Sequence, residues 1–176
     1  MLRRQLFALS SSVAALFASA SSRAAPGAKT VAAEPLALAD AEWKKRLSPE
    51  QYRVLRKAGT ETSHTSALNA EKRAGTYQCA GCALPLFTSE TKYESGTGWP
   101  SFFRPMAGAV KTKLDLFLIF PRTEYHCARC GGHQGHVFAD GPPPTGKRYC
   151  NNGVALNFVA TDSAAVPTAD QPALKS

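Results

Sequence analysis

Cys79-Ala80-Gly81-Cys82 and, separated from it by 44 residues, Cys127-Ala128-Arg129-Cys130-Gly131-Gly132 set the architecture of this 176-residue chain. Each is a Cys-x-x-Cys knuckle, and four thiolates in two tight pairs are the number and grouping that a closed tetrahedral zinc site needs. Such a turn must fold back until both sulfurs face one point. Ala80, Gly81 and Ala128 leave the backbone room to do so, and Gly131 and Gly132 follow the second pair as turn formers. The spacing is longer than in a compact zinc ribbon, so one structural Zn2+ staples distant parts of a domain. The alternative is a pair of disulfides in an exported chain. Against it, a Cys-x-x-Cys disulfide is usually strained and redox-active, and two in one small domain would be odd. Four sulfurs committed to a metal leave the fifth, Cys150, free to react.

Working outward, Ser48-Pro49-Glu50-Gln51 predicts a helix start: an N-cap serine, a proline at the first helical position and a glutamine at the capping-box position. Tyr52, Val54 and Leu55 supply its buried stripe and Gly59 ends it. Beyond Gly75 the helical period disappears. Gly and Pro recur every few residues, and apolar content collects in short runs: Leu114 to Phe120, Val137 to Phe138, and Val154 to Val159. Val154-Ala155-Leu156-Asn157-Phe158 alternates as a half-buried strand does. The expected fold is mainly β, a small antiparallel domain with an N-terminal helical arm, stapled by the structural zinc.

The ends have a different character. Residues 1–33 contain no acid and begin Arg3-Arg4, then a small-residue apolar run from Leu6 to Ala20. That pattern reads as a signal over residues 1–24, possible as a twin-arginine leader to the periplasm, with a mitochondrial presequence as the rival. The run is too short to span a membrane. Residues 25–40, rich in Pro and Ala, read as a flexible linker; 41–160 as the functional domain; 161–176 as a disordered tail. Loss of Arg3, Arg4 and Arg23 would reduce the formal charge of +8 to +5, an excess that requires no nucleic-acid partner.

Longer motifs carry more specific information. Ser95-Gly-Thr97-Gly-Trp99-Pro100-Ser101-Phe102, the run Cys127 to Phe138 (Cys-x-x-Cys-Gly-Gly-His-x-Gly-His-Val-Phe), Asp140-Gly141-Pro142 and Arg148-Tyr149-Cys150-x-Asn152 closely resemble the methionine sulfoxide reductases of type B, from about Trp43 to Val159. The resemblance implies two antiparallel sheets, zinc on Cys79, Cys82, Cys127 and Cys130, and a catalytic Cys150. It also implies the R epimer of methionine sulfoxide in peptides and proteins as substrate, since each epimer has its own enzyme class. A thioredoxin-like or other thiol reductant completes the cycle, and a monomer with neither nucleic acid nor membrane as partner is expected.

The residue types make the same chemistry reasonable. Reducing a sulfoxide requires a soft nucleophile at sulfur, a proton for the departing oxygen and an apolar cradle for the methyl group. Cys150 meets the first need if positive charge or hydrogen-bond donors favour its thiolate. Arg148 and Asn152 stand two residues either side of it, on the same face of an extended segment. His133 and His136 are candidate general acids, His136 preferred, with an extra zinc ligand as the other reading of each. Trp99, set between Gly98 and Pro100 in a turn, reads as an aromatic pocket wall. His64 and His126 read as structural or surface residues.

Three positions depart from the pattern. Many members carry a resolving cysteine where this chain has Thr97, Gln134 stands where Leu is common, and Gly153 where Ser is common. The first matters most: with four cysteines on the metal, Cys150 has no internal partner, unless a zinc cysteine doubles as resolver. The competing class is a zinc-ribbon module that binds nucleic acid or protein. It suits paired knuckles and a basic balance, but not the lack of a dense Lys/Arg stripe or an unpaired cysteine between Arg and Asn.

Overall fold

The helical arm begins one helix earlier than the capping signal implies. In the computed structural model, which describes residues 34–116 and 121–161, α1 (Asp40–Arg46) precedes α2 (Pro49–Lys57). The expected leader, most of the linker and the tail beyond Thr161 lie outside the described residues. What is described of the linker is held down: the Leu36 N–H donates to the Arg129 carbonyl at 2.8 Å, and Leu36 and Leu38 lie against the core.

α1 has Asp40 and Glu42 in its first turn and Lys44, Lys45 and Arg46 in its last, the polarity that complements the helix dipole. It buries Trp43 alone. α2 starts as read: Ser48 Oγ accepts from the Gln51 N–H at 3.2 Å, and Gln51 Oε1 accepts from the Ser48 N–H at 3.1 Å. It buries Val54 and Leu55, while Tyr52 is only half-buried and bonds Asp40. The left-handed residue that ends it is Ala58, at φ 53°. Gly59 is required for a different reason: a Cβ there would meet the Arg53 carbonyl oxygen at 3.0 Å.

Among the described residues, nine strands make two sheets, with every pairing antiparallel. β1 (Gly75–Cys79) lies between β2 (Pro85–Thr88) and β9 (Leu156–Ala160). The larger sheet contains β3 (Lys92–Tyr93), β4 (Ser101–Phe102), β5 (Val110–Asp115), β6 (Arg122–Cys127), β7 (His133–Phe138) and β8 (Arg148–Asn151), in the order β3-β4-β8-β7-β6-β5. The rings of Tyr77, Phe87, Phe102 and Tyr125 fill the core, drawn from both sheets. Phe87 stacks on Phe102 at 4.1 Å and Tyr77 meets Phe102 edge-on at 4.9 Å, each pair adding about 0.5–1.5 kcal/mol beyond burial alone.

Two apolar runs behave differently from their composition. β9 begins at Leu156, because residues Gly153–Ala155 close into a 3-10 turn whose first amides are taken by the buried Glu61 carboxylate. The run from Leu114 enters the edge strand β5, where the pleat turns Asp115 toward His136 and leaves Leu114 and Leu116 64% and 67% exposed. Residues 117–120 of that run lie outside the described residues. No helix among the described residues is long and apolar enough to cross a membrane.

Candidate active site

Each knuckle hangs from a strand end: Cys79 closes β1 in one sheet and Cys127 closes β6 in the other. Cys79 Sγ lies 3.7 Å from Cys130 Sγ, and Cys82 Sγ 3.5 Å from Cys127 Sγ. All four sulfurs fall within 4.8 Å of one another. Corners of a tetrahedron with Zn–S bonds of about 2.3 Å stand roughly 3.8 Å apart, whereas disulfide sulfurs stand about 2.05 Å apart. The sulfurs therefore form a cage that can hold a metal ion, with the close pairs running between knuckles. Crowding drives the thiols apart in acidity, Cys79 upward and Cys82 downward, each chiefly through Cys127. Four thiolates coexist at this distance only around a cation.

The surroundings fit such an ion. Leu55 closes over the second knuckle so tightly that a Cβ on Gly132 would meet it at 3.0 Å. Arg56 donates to the Cys130 carbonyl at 3.0 Å. Gln134, fully buried, donates from Nε2 to Cys79 Sγ at 3.4 Å, an outer hydrogen bond suited to a metal thiolate. A leucine at this position would offer no donor.

Cys150 occupies the middle of the large sheet, on β8, with Ser101 of β4 and His136 of β7 directly opposite it on either side. Beside it opens a cavity of about 120 Å³, whose walls include Thr60, Trp99, His136, Phe138, Cys150 and Asn152. That space suits the end of a side chain. A wider depression of about 720 Å³, bounded by Glu71, Arg73 and Phe158, has no thiol or imidazole in its walls.

His136 and His133 lie at different depths. The His136 ring faces the cavity, and its Nε2 lies 2.8 Å from Asp115 Oδ2, an oxygen that also meets Arg122 at 2.7 Å. A carboxylate acceptor there assigns the Nε2–H tautomer and fixes the ring. His133 is 3% exposed and packs edge-on against His136 at 5.4 Å, outside the cavity wall. Its Nδ1 lies 3.0 Å from Glu124 Oε1 but off the hydrogen-bond direction. Burial holds His133 below its usual range, and the neighbouring Glu124 only partly offsets this.

Trp99 and Asn152 line the cavity, and Arg148 does not. Arg148 makes a two-pronged pair with Asp140 at 2.9 and 2.8 Å and stacks over Phe138 at 4.3 Å. The Asn152 amide is used on both sides, donating to the Gln134 carbonyl at 3.0 Å and accepting from the Glu61 N–H at 2.9 Å. His64, read as structural, lies against Gly98, where a Cβ would meet its ring at 2.6 Å.

Burial pushes the Cys150 thiol up from its ordinary value, and the Arg148 charge with hydrogen bonds from Thr97 and Arg148 does not cancel the shift. The free protein thus holds mostly a thiol at neutral pH. Because burial disfavours the charged form, the thiolate fraction climbs only as pH approaches the raised value. Alkylation of Cys150 by iodoacetamide, followed by mass spectrometry, should rise with pH with no plateau below about pH 9, the ordinary thiol value being near 8.5. Arg148→Met should slow it at any fixed pH, since the thiolate loses its cation. A plateau near neutral pH would contradict this reading.

Three residues of this region carry no signal that a sequence reading could use. Glu61 stands alone in Gly59-Thr60-Glu61-Thr62, Asp115 sits in an apolar run, and Asp140 is part of a recognisable motif without an assignable role.

Comparison with known proteins accords with this geometry. A family model described as the SelR domain matches residues 47–160. Peptide methionine sulfoxide reductase B1, chloroplastic, of Arabidopsis thaliana is 55% identical over 71% of this chain, and the match spans 62% of that protein's length. Peptide methionine sulfoxide reductase MsrB of Leptospira interrogans is 55% identical over 68% of this chain and 92% of its own. The MsrB of Pseudomonas putida is 54% identical over 70% and 93%.

Proposed function

The chain belongs to the SelR-domain family of peptide methionine sulfoxide reductases, and from that membership we propose that it reduces the R epimer of methionine sulfoxide in peptides and proteins, with Cys150 as nucleophile. The observation that carries the reading is the placement of this thiol in a small aromatic- and amide-walled cavity, opposite an imidazole held by a carboxylate.

Trp99 and Phe138 offer the methyl group an apolar, polarisable surface. The Cys150 sulfur attacks the sulfoxide sulfur as its S–H proton is given up, and the sulfoxide oxygen takes a proton as it gains negative charge. His136 would carry the proton between them: with Nε2–H held by Asp115, its Nδ1 accepts the proton that Cys150 gives up and passes it to the oxygen. The S–O bond breaks with the oxygen leaving as water, and water then adds to the Cys150 sulfur as the S–S bond breaks, which releases methionine and a proton and leaves Cys150 as a sulfenic acid: the substrate sulfur is reduced by two electrons and Cys150 oxidised by two. We read the ion held by Cys79, Cys82, Cys127 and Cys130 as one structural zinc that fixes the knuckles and takes no part in electron transfer.

Regeneration needs a second thiol. Thr97 stands where many members of the family carry a resolving cysteine, and its hydroxyl cannot form a disulfide. An external thiol therefore condenses with the sulfenic acid, releasing water, and a further thiol releases Cys150 from the mixed disulfide. A thioredoxin-like protein has the required chemistry. Residues 1–24 suit a leader, which would place the reaction with an exported pool of reductant.

One turnover with excess methionine-R-sulfoxide peptide and no reductant should yield about one methionine per chain and a dimedone-reactive sulfenic acid on Cys150. Thr97→Cys should convert that product into an internal disulfide. Failure to form methionine overturns the activity, and a natural-chain disulfide from Cys150 to a knuckle cysteine overturns external recycling.

A further inference from the structure

Glu61 is 6% exposed, and both halves of the residue are bound to the cavity's supports. Its carboxylate accepts from the Gly153 N–H at 2.6 Å and the Val154 N–H at 2.8 Å, which are the first amides of the turn that follows Asn152. Its own N–H donates to Asn152 Oδ1 at 2.9 Å. Its carbonyl accepts from Trp99 Nε1 at 3.2 Å. Trp99 and Asn152 both line the cavity, as does Thr60, the residue before Glu61. The segment is pressed onto the turn: a Cβ on Gly153 would meet Ser66 Oγ at 1.9 Å. One residue thus ties together the indole wall, the amide wall and the chain leaving Cys150.

We propose that Glu61 is a positioning residue that sets the separation of Trp99 and Asn152, and through it the width of the cavity that admits a methyl sulfoxide and resists larger alkyl groups. This rests on the reductase reading for its substrate. A carboxylate is suited to the task because each oxygen accepts one of two adjacent amides. Glutamine keeps one acceptor and alanine none, so the two variants grade the effect. Removing the carboxylate frees the turn, and the two backbone bonds from the same residue then lose their fixed geometry. The sulfur of Cys150, held on β8 between β4 and β7, is not reached by any of these bonds.

The test compares peptides carrying methionine sulfoxide and ethionine sulfoxide. For Glu61→Ala, KM for the methyl substrate should rise about tenfold and the preference for methyl over ethyl should shrink about tenfold, the range one methylene commands in a pocket. Cys150 alkylation without substrate should change less than about twofold, since the sulfur's neighbours are kept. Glu61→Gln should fall between wild type and Glu61→Ala, and it decides the matter if the alanine protein does not fold. A merely structural role would instead lower kcat and the alkylatable fraction together while KM and the methyl preference stayed constant, and that result overturns the proposal. A readout independent of turnover separates it from the reductase reading. Glu61→Ala should speed amide exchange at Gly153 and Val154 and raise acrylamide quenching of Trp99, Trp43 being buried. If the wild type reduces no sulfoxide, the reductase reading fails; if exchange and quenching are unchanged, this inference fails.

Discussion

A chain carrying Cys79→Ser should emerge without its metal and unfolded at 25 °C. The cage joins β1 in the small sheet to β6 in the large one, and both helices lie over it, with Trp43 and Leu55 so near that a Cβ on Gly81 would meet each of them at 3.6 Å. A serine hydroxyl is a hard, protonated ligand that does not replace a thiolate at a soft site. Structural zinc contributes about 10–16 kcal/mol of apparent binding energy in small metal-folded domains, against a total of about 5–15 kcal/mol for a whole domain. The substitution also takes the acceptor from the buried Gln134 amide. Metal-to-protein ratio by mass spectrometry, read with circular dichroism, checks it. A folded, metal-free protein with normal activity would refute the assignment of the cage.

Cys150→Ser should abolish sulfoxide reduction and keep both metal and fold. The hydroxyl is a far weaker nucleophile toward sulfur, and no other free thiol stands in the cavity wall. Cys150 is partly exposed and takes no part in the cage, so the melting temperature should stay within about 5 °C of wild type. Turnover assay and thermal melt together decide it. Residual turnover of more than a few per cent, in protein free of contaminating reductase, would remove Cys150 from the centre of the mechanism.

What can be read in the sequence is what is local or covalently spaced. The two knuckles, the Ser48 cap of α2 and the antiparallel β class each follow from residues a few positions apart. The long motifs point to Trp99, His136, Cys150 and Asn152 at one cavity. What escapes depends on pairings across the fold. α1 is seven residues long, too short for a period to register, and it is held by Trp43 and not by its own propensity. Asp115 owes its role to the register of β5 against β6 and β7, which only the sheet order supplies. The strand read from Val154 starts later because a distant carboxylate claims the amides of Gly153 and Val154. The local surroundings of Cys150 suggest a thiol made acidic by Arg148. Burial is the larger effect, a quantity that spacing does not contain.

The bonds of Glu61 to Asn152, Gly153 and Val154 span 91, 92 and 93 residues of chain. Contacts of that separation form late, because the loop they close must be ordered before they repay its entropy. β9 follows directly and must pair with β1, near the other end of the domain, for the turn to be held. If the Glu61 ties set the cavity as proposed, the growing chain contains Cys150 before it contains Gly153 and Val154, so the nucleophile is made before the amides that fix its pocket. A chain cut after Asn151 would lose those amides together with β9, the strand that pairs with β1 and carries Leu156 into the core.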